Sequence, residues 1–229
     1  ETEFKPKTSV EIVGSPIMWL IKHRDVHYVS KVCVLSLSYR GDVIKTYYHD
    51  YKSRNSDFTR NHSSGDTTVH NSGACVDWKV TLCDTGEDTE KGGRIKRVAQ
   101  HLGSGPFMAT YGDGVADIDI NALLAFHKKQ GKLGTFTGVR MPSRFGTVST
   151  DAKGNISSWQ EKPVLNQFSN CGFFVFEEAF LEYLTEDESC DLEKAPLERL
   201  AHEGQLAMYR HEGFWQCMDT LRDYQFLNR

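Results

Sequence analysis

The chain has 229 residues, 39% of them hydrophobic and 25% charged, with a formal charge of -4 at pH 7. That balance fits one large globular domain with material for a real core, and it argues against nucleic acid or an anionic membrane as a partner. No run approaches the roughly 18 apolar residues of a membrane span and no leader pattern is visible, so a cytoplasmic protein is expected.

In chain order, Pro16 to Tyr28 reads as a helix, with proline at its first position and Ile17, Leu20 and Ile21 on one face. VCVLSL (32–37) reads as a buried strand, and 41–51 as a helix with Val43, Ile44, Tyr47 and Tyr48 on its apolar side. Residues 52–75 are polar and nearly free of large apolar side chains; they read as a mobile insertion, a lid or an oligomer contact. A strand at 78–86 and a helix at 92–102 follow. The apolar run Phe107-Met108-Ala109 then leads to Gly112-Asp113-Gly114, a helix over 120–129 and a strand over 133–140. This rhythm predicts an α/β fold: a Rossmann-like, mainly parallel sheet with helices on both faces. Beyond Pro142 the pattern turns β-rich. Two strands flank the turn Asp151-Lys153-Gly154-Asn155, and a third spans 172–177. Helices near 178–184 and 191–203, a strand at 206–213 and a helix from about Thr220 complete the chain. The cysteines at 33, 75, 83, 171, 190 and 217 lack C-x-x-C spacing, so reduced, buried thiols are expected ahead of disulfides or a zinc site.

Several residues invite a chemical reading beside a plain one. Asp113 would stand at a carboxyl strand end, where open α/β sheets bind ligands and a carboxylate can hold a hard cation; G-D-G is equally ordinary turn chemistry. Asp219 is either a second metal carboxylate or the N-cap of the last helix. Gly92-Gly93-Arg94 opens a helix whose free N–H groups would favour an anion, with Arg94 as a bidentate phosphate ligand or one more solvated cation. Lys5-Pro6-Lys7 suits a phosphate-rich ligand or a charged tail. Glu161-Lys162-Pro163 could present a lysine to a sugar phosphate or form an exposed turn, and Asn170 could meet sugar hydroxyls or start a strand. No Walker A, G-x-G-x-x-G or G-x-S-x-G string is present.

Taken in order, KPK, VEI-x-G-x-P-I, SYRGDVIK-x-YY, VTL-x-DTG, GGRIKRVA, TYGDGVAD, RFG, QEKP, N-x-GFFVF and GFWQ-x-MDTLRD form a series. It resembles that of the sugar-1-phosphate nucleotidylyltransferases, and within them the cytidylyltransferase branch that acts on glucose 1-phosphate. The resemblance runs from about Lys5 to the C-terminus. It implies a nucleotide-diphospho-sugar transferase fold whose β-rich second half binds sugar. It also implies an Mg2+-dependent transfer from CTP to glucose 1-phosphate, giving CDP-glucose and pyrophosphate for deoxysugar and surface polysaccharide (O-antigen) synthesis. On the matching positions, Asp113 and Asp219 would hold Mg2+, and Lys7 would neutralise the triphosphate. Thr89, Arg94 and Gly112 would meet the nucleotide. Lys162 would bind the sugar phosphate, and Glu161 and Asn170 would face sugar hydroxyls. Arg144 matches RFG without an assigned role. A homo-oligomer is expected, with residues 52–75 as a candidate contact element.

Three departures stand out. The family's opening strand and G-G-x-G-T-R loop have no counterpart, so a single nucleotidyltransferase domain over 1–229 is expected to lack both. Its nucleotide-binding part would span 1–140 and its sugar-phosphate part 141–229. The family's K-P-K-P-M reads Lys5-Pro6-Lys7-Thr8-Ser9, and its Glu-Pro reads Ala195-Pro196. A different sugar phosphate or a phosphonate as acceptor, or a catalytically silent nucleotide-binding homologue, are the alternatives.

Overall fold

The computed structural model describes residues 18–22, 32–72 and 78–229. The elements begin with β1 (Met18–Lys22), β2 (Val32–Leu37), α1 (Gly41–His49), α2 (Tyr51–Arg54), β3 (Ser56–Arg60) and β4 (Thr67–Ser72). Next come β5 (Lys79–Asp84), α3 (Lys91–Val98), β6 (Phe107–Tyr111), β7 (Gly114–Ala116), α4 (Ile120–Gln130) and β8 (Gly134–Pro142). The second half holds β9 (Thr147–Thr150), β10 (Ile156–Gln160), β11 (Val164–Phe176), α5 (Ala195–His202), β12 (Leu206–His211), β13 (Trp215–Cys217) and α6 (Leu221–Leu227). Short 3-10 turns lie at Ala99–His101 and Glu178–Tyr183. No helix among the described residues is long and apolar enough to cross a membrane.

Seven strands form one sheet in the order β12-β8-β11-β6-β1-β2-β5. The α/β class expected from the sequence holds, but the sheet is mixed. β2, β5, β6, β8 and β12 run one way, while β1 and β11 run the other. Each reversed strand sits between two neighbours, so only β2 with β5 and β8 with β12 pair in parallel. Helical rhythm reports the direction of strands joined by crossovers; it is blind to strands inserted between them.

The segment 18–22 is the clearest correction. A helix was expected there, yet Met18–Lys22 is a strand antiparallel to both β2 and β6. A short apolar run satisfies helical and extended patterns alike. What decides is the slot: β2 and β6 present facing rows of backbone donors and acceptors, and a strand between them satisfies both. The flanks of the expected helix, like Lys5 and Lys7, lie outside the described residues.

The core follows strand alternation. On β6 and β11, Phe107, Ala109, Phe174 and Phe176 face one layer, where Ile95, Val98, Phe180, Leu192 and Leu200 cover them. Met108 and Val175 face the other layer, against Leu123 and Leu124 of α4. Helix α4 starts where the Asp119 carboxylate accepts the Asn121 and Ala122 N–H groups, and it ends at Gly131 with φ of 58°. The hairpin β9–β10 was legible: Asp151 accepts from the Lys153 and Asn155 amides, closing the anticipated turn. Within 52–75, β3 and β4 form a second hairpin that the polar composition hid.

β11 is interrupted beside the end of β6. Gly172 adopts φ of +83°, and a Cβ on it would lie 2.5 Å from the Tyr111 ring. The ladder register shifts between Asn170 and Phe174. Gly172→Ala would force both a disfavoured dihedral and an overlap with a ring packed against Phe174. The expected loss is roughly 2–3 kcal/mol in urea unfolding, and a loss below about 0.5 kcal/mol would remove this account.

His127 of α4 is buried, bonded through Nδ1 to Thr135 Oγ1 at 2.8 Å and through Nε2 to Glu177 Oε1 at 3.2 Å. Burial lowers its pKa against the opposing pull of Glu177, with Lys128 adding to the lowering. The unfolded chain takes up this proton near the usual imidazole value of about 6.5, and the native state resists it. Stability from His127 is therefore full above that pH and declines as pH falls below it. Melting temperature should drop from pH 7 to pH 5, and His127→Gln should flatten part of that drop.

Candidate active site

β6 ends at Tyr111, and the chain turns through the half-buried Gly112 and Asp113 into β7. β13 lies antiparallel to β7 with Cys217 opposite Gly114, and the Met218 N–H donates to the Asp113 carbonyl at 2.9 Å. This ladder carries Asp219 to Asp113: donor atoms of Asp113, Cys217 and Asp219 all lie within 4.8 Å of one another. The Trp215 indole N–H, bonded to the Cys171 carbonyl at 2.9 Å, ties the ladder to β11.

The alternative reading of Asp219 as a helix cap is corrected by its neighbour. Thr220 is the N-cap of α6, with its hydroxyl accepting the Asp223 N–H and the Asp223 carboxylate accepting the Thr220 N–H. Asp219 is left to face Asp113. Burial raises the Asp113 pKa, and the charge of Asp219 raises it further, against the lowering effects of the Cys217 thiol and Lys91. Burial, the bond to Asp219 and both carboxylates push the Cys217 thiol up to about 12. It stays protonated and donates to Asp219 Oδ1 at 3.1 Å. The pair thus offers two oxygen ligands with uncompensated charge, a donor set that fits a hard divalent cation.

In the loop between β5 and α3, the residues expected to meet the nucleotide make contacts within the protein. Arg94 is 1% exposed, and its guanidinium donates to Leu37 O, Thr85 Oγ1, Gly86 O and Glu87 O at 2.8 to 3.3 Å. These contacts brace the loop through Nη1 and Nη2, and the buried Nε has no partner among the described residues. Thr89 is buried too, its hydroxyl accepting from Arg97, which also bonds Thr85 O and Glu186 O. At the N-terminus of α3, two backbone N–H groups already have acceptors within the protein. Glu90 and Gly93 donate to the carbonyls of Glu188 and Cys190. The two glycines serve close packing: a Cβ at Gly92 would meet Cys190 O at 2.7 Å, and one at Gly93 would meet Asp187 O at 2.6 Å.

The candidate sugar-phosphate residues fall in two places. Glu161 and Lys162 follow β10, both exposed, with Glu161 against Gly146 and Lys162 at φ of 46° just before Pro163. Asn170 lies on β11, accepts the Gly172 N–H at 2.9 Å and adjoins the Tyr111 hydroxyl. Arg144 lies in the field of Asp223. Sequence reasoning gave no role to Lys91, Tyr111 and Glu193, and took Arg97 for a solvated helix cation. Lys91 precedes the Gly-Gly pair directly, but nothing in local spacing marks Glu193 as its neighbour.

A strand-end carboxylate pair in an open α/β sheet is a donor set that suits a hard cation beside a ligand. The chain belongs to the nucleotidyl transferase family, whose model matches residues 4–226. It is 42% identical over 230 residues to the glucose-1-phosphate cytidylyltransferase of Salmonella typhi, covering 99% of this chain and 88% of that protein. The same identity and coverage hold for the enzyme of that name from Salmonella typhimurium. Among solved structures, HddC from Yersinia pseudotuberculosis superposes with a TM-score of 0.58 at 18% identity, over 86% of this chain and 77% of that one. That likeness concerns the fold.

If Arg94 holds the loop, Arg94→Lys should cost about 2–4 kcal/mol in urea unfolding, because an ammonium cannot reach four separated oxygens. Unchanged stability with weakened nucleotide binding would instead assign Arg94 to the ligand.

Proposed function

We propose that the protein transfers the cytidylyl group of CTP to glucose 1-phosphate, forming CDP-glucose and pyrophosphate. The observation that carries this reading is the convergence of Asp113 and Asp219 at the end of β6. The relatives at 42% identity direct it to this pair of substrates. A phosphate oxygen of the sugar phosphate attacks the α-phosphorus in line, and the bond to the bridging oxygen breaks. Pyrophosphate leaves with the electron pair, so no covalent enzyme intermediate is required. Catalysis is then positioning plus neutralisation of phosphate charge.

In this reading Asp113 and Asp219 hold Mg2+. Once bound there, the cation withdraws charge from the phosphates. Gly112 allows the nucleotide close to the strand end, and Lys7 neutralises the triphosphate. Lys162 receives the sugar phosphate; its left-handed backbone ahead of a proline is a strained setting of the kind that fixes a functional side chain. Glu161 and Asn170 accept or donate to sugar hydroxyls. Thr89 and Arg94 act one step back, holding the loop that borders the nucleotide. The same reading makes the protein cytoplasmic and homo-oligomeric, with its product a precursor of deoxysugars for surface polysaccharide.

Pyrophosphate release should be largely confined to CTP when CTP, UTP, dTTP and GTP are compared with glucose 1-phosphate and Mg2+. No release with any nucleotide overturns the proposal. Asp113→Asn and Asp219→Asn should each lower turnover by roughly a hundredfold or more, and calorimetry should show weakened Mn2+ binding. Lys162→Ala should raise KM for glucose 1-phosphate far more than KM for CTP.

A further inference from the structure

Between the carboxylate pair and Asn170 lies a polar cluster that the roles above leave unused. Lys91, at the first position of α3, forms an ion pair with Glu193 Oε2, and the Tyr111 hydroxyl donates to Glu193 Oε1 at 2.5 Å. The Lys91 ammonium also sits 5.2 Å from the centre of the Tyr111 ring. Tyr111 is itself held from three sides: Gly172 presses on its ring, Phe174 packs edge-on at 5.7 Å, and Asn170 adjoins its hydroxyl. The charge of Lys91 also acts on Asp113, which sets the cluster in the electrostatic neighbourhood of the carboxylate pair. Glu193 is not sealed in. Its side chain remains 34% exposed and that of Lys91 25%.

We propose that Glu193 is a specificity-determining carboxylate that accepts hydrogen bonds from the hydroxyls of the sugar phosphate, with Lys91 and Tyr111 as its positioning residues. The inference rests on the function proposed above and deepens it. One donor on each carboxylate oxygen fixes the plane of the group, yet each oxygen keeps a further acceptor site. Two acceptors held about 2.2 Å apart in a rigid plane match a pair of adjacent hydroxyls, and the neighbouring Asn170 amide adds a donor and an acceptor. An unbraced glutamate would lose rotamer freedom on binding, and the two contacts meet that cost before the ligand arrives. A simple surface ion pair would need neither the tyrosine nor the glycine that locks it.

The test compares glucose 1-phosphate with its 2-deoxy, 3-deoxy and 4-deoxy analogues, using CTP and Mg2+, in the wild type, Glu193→Gln, Lys91→Met and Lys91→Arg. In the wild type, one analogue should carry a roughly ten- to hundredfold penalty in kcat/KM. In Glu193→Gln that penalty should shrink to a few-fold at most, while KM for CTP stays within about twofold. Lys91→Met should raise KM for glucose 1-phosphate, and Lys91→Arg should restore it; a merely structural lysine would move melting temperature and both KM values together. If wild type and Glu193→Gln discriminate among the analogues equally, Glu193 does not read hydroxyls and only this inference fails. If the wild type turns over no sugar phosphate with CTP, the proposed function fails and this inference with it.

Discussion

Two carboxylates that repel each other stand side by side because a three-residue ladder leaves them nowhere else to go. β7 and β13 pair so that Asp113 falls opposite Met218, and the Met218 amide locks that register from the backbone. Thr220 takes over the capping of α6, which leaves the exposed Asp219 side chain beside Asp113. Burial and mutual repulsion then leave negative charge uncompensated, which raises the Asp113 pKa and keeps the Cys217 thiol protonated. The site is assembled by backbone geometry, and its attraction for a cation follows from electrostatics.

Much of the frame was legible because local signals and tertiary context agreed. Asp119 and Gly131 bracket α4 as a good N-cap and a left-handed stop should. Asp151 folded the turn its spacing promised. Met18–Lys22 was misread because its outcome depends on two distant strand edges, and no property of five residues encodes those edges. The mixed sheet escaped for the same reason, since β11 is reversed by a long excursion through β9 and β10.

In the site, the residues legible in sequence were those at strand ends and turns. Asp113 was marked by its glycines and Asp219 by the motif around it. The surroundings of Arg94 and the Gly-Gly pair were not legible, because a basic residue near a helix start reads the same whether it faces phosphate or backbone carbonyls. Only the fold reveals that Arg94 is buried among four oxygens, and that Gly92 and Gly93 make room for residues 187 to 190. Glu193 was invisible because its partners, Lys91 and Tyr111, come from elements 80 or more residues away in the chain.

The close seat of α3 against residues 187 to 190 has a consequence for how the protein is made. Glu90 and Gly93 find their acceptors at Glu188 and Cys190, Lys96 at Leu181 and Arg97 at Glu186. None of those carbonyls exists until the ribosome has synthesised about ninety further residues, and a vectorially emerging chain folds only with the segments already outside the tunnel. The acceptors of Arg94 all come from residues 37 to 87 and are present early, whereas Lys96, Arg97 and the N-terminus of α3 wait until residues 181 to 190 are free to dock. Final seating of α3 and arrival of the segment 181–190 are therefore one event in biosynthesis.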